Sequence, residues 1–175
     1  MTIFTLLLAV AEPMLLVHPL GVLSKNLPFL LVVGVVWLTE RGSWDARAVW
    51  LLRIAMAVVW ITEGVLPKLI FQQSWELNLA LKLGLPGDPA VFIAGLGILQ
   101  ALSGVLVLVL PWRWAAGSTR PRRWLRRLLF AQFAALLCLP IMVMALEPEW
   151  LLHPFGPLTK NAPLLVGTWI LGRRC

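Results

Sequence analysis

Hydrophobic residues fill this chain in long blocks, and the polar residues are gathered between them. Three blocks are long enough to cross a bilayer: residues 48–71, 90–110 and 128–146. A span needs about 20 predominantly apolar residues. The first block carries Arg53, Glu63 and Lys68. The second is wholly uncharged, and its Gly95, Gly97, Ala101 and Gly104 predict close helix packing. The third should kink or break at Pro140. Three shorter runs, 2–11, 28–39 and 163–171, would cover only about 14–18 Å as helices at 1.5 Å per residue. They predict segments that reach part-way, unless the repeat motif beside each also dips into the membrane. Residues 74–84 place Trp75, Leu79 and Leu83 on one side, which predicts a short interfacial helix ended by Gly84 and Pro86.

Between the blocks the chain repeats itself. Residues 12–30 read EPMLLVHPLGVLSKNLPFL, and residues 147–165 read EPEWLLHPFGPLTKNAPLL. Eleven of the nineteen positions are identical at a constant offset of 135, without a gap. The frame is E-P-x-x-L-x-H-P-x-G-x-L-[ST]-K-N-x-P-x-L. A repeat of this kind organises the whole fold and is read before local detail. It predicts two equivalent polar stations, each beside a short apolar run.

Composition agrees with a membrane chain. Of 175 residues, 60% are hydrophobic and 13% charged; a soluble domain has roughly 45–50% and 25%. Mean hydropathy is +0.87. No cleavable signal peptide is expected, because the first residues lack a basic region and the run breaks at Glu12-Pro13. The net charge is +7. Six Arg fall in residues 111–127, and the others lie near 41–53 and 173–174. Lys and Arg mark cytoplasmic loops. The Arg120–Arg127 loop is therefore expected inside, and counting outwards through six segments places both repeat motifs outside. Trp44, Trp50, Trp112, Trp114 and Trp124 then flank the inner boundary, and Trp75 and Trp150 the outer one. The basic charge reads as orientation in a lipid bilayer and excludes nucleic-acid binding, since no soluble basic domain exists to hold a polynucleotide. Cys138 and Cys175 sit on different segments with no C-x-x-C spacing. Dithiol redox chemistry and a cysteine-held metal are not expected.

The candidate chemistry lies in the motifs and the first span. Pro and Gly in H-P-x-G build a turn. Asn26 and Asn161 are placed to cap the following helix, with Pro28 and Pro163 in its first turn. Lys25 and Lys160 stand just before that helix, where the dipole favours anions. An anion held by Lys, His18 or His153, and backbone N–H groups would make the placement sensible. Glu12 and Glu147, thirteen residues before each Lys, are the internal candidates and would form structural ion pairs. The alternative is an external ligand or a lipid headgroup. Glu63, about two turns inside the outer boundary, needs a partner or a water-filled cavity. Lys25, Lys68 and Lys160 are the candidate partners, or the carboxyl stays protonated through desolvation. Arg53 is expected to snorkel as an interfacial anchor. Two isolated His give no metal or haem site, and no phosphate-loop, hydrolase or dinucleotide motif occurs.

Together R-x₆-W-x-x-E-G-x-x-P-K at Arg53–Lys68, a short amphipathic segment, two spans and H-P-F-G-P-L-T-K-N-x-P at residues 153–163 resemble the DoxX-like membrane family. The resemblance covers roughly residues 48–175. It implies a four-helix membrane bundle and places Arg53, Glu63, Lys68, His153, Lys160 and Asn161 at family motif positions. Some DoxX relatives are small membrane subunits of thiosulfate:quinone oxidoreductases or associate with redox enzymes, and many have no assigned activity. The expected architecture is all-α and polytopic, a single membrane domain over residues 1–175. A four-helix core at 48–175 carries an N-terminal re-entrant hairpin at 1–47, an extra parallel copy of the C-terminal one. The expected function is a subunit of a redox complex in the bacterial inner membrane. It would bind a quinone-like or anionic ligand near the outer face through Glu63, Lys68, His153, Lys160, Asn161, His18, Lys25 and Asn26. A redox-enzyme subunit or a second copy would be its partner. The alternative is a non-enzymatic transporter, lipid-binding or scaffold protein with structural re-entrant loops. No residue pattern specifies a reaction.

Overall fold

The computed structural model describes residues 10–11, 22–40, 44–72, 74–110, 120–148 and 157–174, with side chains placed for 10–11, 29–40, 44–72, 74–110, 123–148 and 161–173. Every regular element among them is helical: α1 (Val22–Glu40), α2 (Ala46–Val65), α3 (Ser74–Lys82), α4 (Pro89–Val109), α5 (Arg120–Leu146) and α6 (Pro157–Arg174), with a π turn at Leu66–Ile70 that continues α2. Three helical stretches are long and apolar enough to cross a membrane: Ala46–Ile70, Pro89–Val109 and Arg123–Leu146. The expected all-α membrane bundle is the fold.

Local chemistry sets the boundaries. Asp45 accepts the Ala48 N–H at 2.9 Å and starts α2. Asp88 does the same for Ala90 at 2.9 Å, with Pro89 at the first position of α4, where its missing N–H costs nothing. α3 ends at Gly84, whose φ of +63° is a conformation glycine adopts without strain. Pro67 cannot donate to the Glu63 carbonyl, and its ring crowds that turn. The backbone widens instead, so that Phe71 donates to Leu66 at 2.8 Å, five residues back.

α2 is the central helix. Val49, Leu52, Ala55, Met56 and Ala57 are buried against Val35 of α1, Val107 of α4, Leu125 and Leu129 of α5, and Leu164 and Leu171 of α6. Its closest partner is α4, which runs antiparallel to it. A Cβ on Gly64 would stand 2.5 Å from the Gly97 carbonyl oxygen, and one on Gly104 would stand 2.8 Å from that of Ala57. The backbones therefore touch, as small residues permit in membranes. Gly95 faces open space and takes no part, which corrects its expected role. The opposite face of α4, with Val91, Leu99, Leu102 and Val109, is exposed. Such a surface is at home in lipid and would be unusual in water.

Two other readings are sharpened. First, α1 and α6 are longer than their apolar runs. They have 19 and 18 residues, about 27–28 Å at 1.5 Å per residue, close to the hydrocarbon thickness. They are longer because the K-N part of each motif is helical and precedes the apolar run. Both start at the same repeat position, Val22 and Pro157, 135 residues apart. Asn26 and Asn161 are accordingly inside their helices and do not cap them. Pro163 is likewise an interior proline. Second, α5 continues through Pro140 without a break. The short helix expected over 74–84 is α3, in which Trp75, Leu79 and Leu83 are all half-buried beside buried Glu76 and Ala80.

Candidate functional site

The polar groups of the bundle lie at two ends and in one central patch. At the end closed by α3, α2 finishes in Glu63-Gly64-Val65-Leu66-Pro67-Lys68. Lys68 turns inward and is 6% exposed; Glu76, in the first turn of α3, is 8% exposed. Lys68 Nζ donates to Glu76 Oε1 at 2.9 Å. The same ammonium donates to the Glu63 carbonyl at 3.2 Å. That oxygen lost its α-helical donor to Pro67, so one cation neutralises an acid and fills a backbone gap. A buried cation this well held is retained because removing either partner strands the other. Glu63 itself is half-buried one turn deeper.

Beside this pair, α3 and the end of α5 enclose a groove of about 330 Å³ lined by Trp75, Asn78, Leu79, Leu81, Lys82, Val143 and Glu147. Leu79, Leu81 and Val143 supply apolar walls, and Asn78 and Trp75 add polar edges. Lys82 and Glu147 form an ion pair across it. Glu147 is the first residue of the second motif, and this partner comes from α3.

At the opposite, Arg-rich end, Arg53 is 1% exposed. Its Nε donates to the Val107 carbonyl at 2.8 Å, and Nη2 donates to Leu108 at 3.1 Å, Leu110 at 2.6 Å and also Val107. Its guanidinium lies 4.5 Å from the Trp50 ring centroid. These are the last carbonyls of α4, which have no partner within the helix and carry the negative end of its dipole. The anchor expected to snorkel is instead a buried cap. The carbonyl cluster neutralises it well enough that it need not reach water.

The motif residues divide. Asn161 Nδ2 donates to the Leu136 carbonyl at 3.4 Å. Pro140 lies four residues on and cannot donate to that oxygen. The Asn therefore repairs the proline gap in α5, which accounts for the unbroken helix. The backbones of Lys25, Asn26 and Lys160 lie in the first turns of α1 and α6; their side chains, and all of Glu12, His18 and His153, lie outside the described residues. Among the described residues, no group of three His, Cys, Asp or Glu could hold a metal ion. Cys138 is a free thiol on the exposed face of α5.

Four polar side chains lie outside the candidates that the sequence offers. Glu76 carried a signal as an acid on the inward side of an amphipathic helix. Lys82 and Asn78 gave none. Gln132 did: it is the one amide in residues 128–146, as Gln100 is in residues 90–110. Polar side chains inside spans are costly and placed for a reason.

No curated protein and no solved structure matches the chain. A profile of the DoxX-like family matches residues 57–169, more than half of the chain, from the middle of α2 into α6. The match includes Glu63, Lys68, Glu76, the groove and the second motif, and it excludes Arg53 and the N-terminal repeat. With this match and three helices long and apolar enough to cross a membrane, the chain belongs to the DoxX-like family and is a membrane protein.

Proposed function

We propose that the protein is a membrane-embedded subunit of a redox complex that holds an amphipathic ligand with a quinone-like or anionic head at the α3 end of the bundle. The observation that carries this reading is the groove between α3 and α5. Its volume falls within the range of small-molecule sites, and apolar walls with a few polar groups are what such sites present. Lys82 and Asn78 offer donors to a carbonyl or anionic head. Leu79, Leu81 and Val143 face its apolar body. The Arg distribution supports this end as the outer one, in a bacterial inner membrane. Glu63 and Lys68 lie at the same end, as do the backbones of Lys25, Asn26 and Lys160 in the first turns of α1 and α6; His18 and His153 belong to the proposed ligand set by motif alone.

A second reading, a scaffold or transporter without redox chemistry, is favoured by one observation. Lys68, Arg53 and Asn161 each spend their donors on backbone carbonyls, which is structural employment.

The experiment is a titration of the detergent-solubilised protein with a short-chain benzoquinone, read by tryptophan fluorescence, beside mass spectrometry of an organic extract. The redox reading expects a quinone in the extract and saturable quenching that weakens in Val143→Trp, which fills the groove. Equal quenching in both proteins, with no quinone extracted, would refute it in favour of the scaffold.

A further inference from the structure

Two neighbouring helices, α5 and α6, carry the same pattern on their outer sides. On α5, Arg126, Phe130, Phe133 and Leu137 are spaced four, three and four residues apart, which puts them on one helical face. On α6, Val166, Trp169 and Arg173 are spaced three and four apart and share a face likewise. Phe133 is half-buried, and the other six are exposed. Each face thus runs from an aliphatic residue through aromatic rings to an arginine.

Two contacts fix how the faces align. The Phe133 and Trp169 rings stand 5.9 Å apart, and a Cβ on Gly172 would stand 4.0 Å from Leu129 Cβ. The helices are therefore antiparallel, and both arginines lie at the Arg-rich end. Since Leu129 meets Gly172, Arg173 stands level with residue 128 or so. Arg126 is then offset from it by only about 3–4 Å at 1.5 Å per residue. Packed helices have axes about 8–10 Å apart, a gap that two side chains as long as arginine can bridge around one phosphate group.

The charges are set up for an anion. The Arg173 guanidinium lies 5.5 Å from the Trp169 ring centroid. Stacking of this kind holds the cation against the helix surface while its N–H fork stays open to an oxyanion. Among the described residues, the ion pairs are Lys68–Glu76 and Lys82–Glu147, so no carboxylate there neutralises Arg126 or Arg173. A soluble anion would use the arginines and leave the apolar ladder bare. A second copy packed here about a two-fold axis would bring like charges together. A molecule with an anionic head and hydrocarbon chains matches both parts of the face.

We propose that the α5–α6 face at the Arg-rich end binds one anionic phospholipid. Its phosphate is held between Arg126 and Arg173, and its chains lie along Phe130, Phe133 and Trp169. Basic pockets between transmembrane helices bind such heads. The site lies at the opposite end from the α3 groove and rests on no reading of that groove's ligand.

The test is native mass spectrometry of the full chain in detergent, titrated with phosphatidylglycerol. Arg126→Gln and Arg173→Gln should each weaken binding about five-fold. Arg127→Gln removes the same charge from the next residue of the same turn, but Arg127 is turned to Trp124, 5.4 Å from that ring centroid; its effect should stay under about two-fold. All three side chains are exposed, so an unchanged melting temperature is expected and checks that each variant is folded. Phosphatidylcholine with the same chains should bind the wild type at least about five-fold more weakly. Equal loss in all three variants, or no loss at Arg126 and Arg173, would overturn the proposal, because only general surface charge would then be at work. So would displacement of the lipid by inorganic phosphate, or loss of a protein dimer in place of bound lipid.

Discussion

Two cations on one helix, Arg53 and Lys68, are buried in opposite ends of the bundle and neutralised by different means. Arg53 donates to the carbonyls of Val107, Leu108 and Leu110 at the end of α4 and lies over the face of Trp50. Its planar fork suits several acceptors at once, and a helix terminus offers a cluster of them. Lys68 meets a full negative charge, Glu76, plus one carbonyl freed by Pro67. The compact ammonium suits a point partner. One end is thus held by a dipole that cannot titrate. The other depends on a carboxylate beside the groove. The difference makes the Arg-rich end insensitive to titration, and the groove proposed above as the redox ligand's site lies at the other end.

The largest effect is expected at the ion pair. Glu76→Gln strands a buried ammonium and should cost about 3–5 kcal/mol, seen as a lower melting temperature in detergent. Adding Lys68→Met should recover most of it. If the single variant melts like wild type, the two ends are alike and the contrast fails. Next comes Arg53→Met, which leaves the α4 terminus without its donor at a cost of about 3 kcal/mol. Arg53→Lys should rescue little, because one ammonium cannot span three carbonyls; full rescue would make Arg53 a mere charge. Asn161→Ala should cost about 1 kcal/mol, since Leu136 loses its replacement donor. In a Pro140→Ala background the penalty should vanish, because the helix then supplies the N–H. A double-mutant cycle reads this directly, and additivity would refute the repair. Smallest is Lys82→Met. The pair is half-exposed, so under about 1 kcal/mol is expected. A larger loss would make Lys82 a structural strut and weaken its assignment to a ligand.

The two repeat copies show how much was legible. Their common frame is visible in the chain, and the structure starts both helices at matching positions. The helices begin earlier than the prolines suggest. Pro28 and Pro163 look like first-turn residues, which predicts loop for the preceding K-N. Helix formation extends through them because the lost bond is one among many, and lipid penalises exposed loop backbone more than one missing N–H. Arg53 departs from expectation for a related reason: snorkelling is the default near a boundary, and the arrival of the α4 terminus changes it.

What the chain determined alone is the part governed by short-range chemistry. Blocks of apolar residues specify spans. Asp45 and Asp88 specify helix starts, Gly84 a stop, and Pro67 a disturbed turn. Family membership follows from motifs of this kind, as does the all-α membrane class. The tertiary structure decided which polar groups meet. Arg53 finds carbonyls 54 to 57 residues away, Asn161 one 25 away, and Gln132 a hydroxyl 29 away. No periodicity encodes such separations. In hydrocarbon every donor must find an acceptor somewhere, and the close Gly64–Gly97 and Ala57–Gly104 packing of α2 on α4 sets which acceptors come within reach.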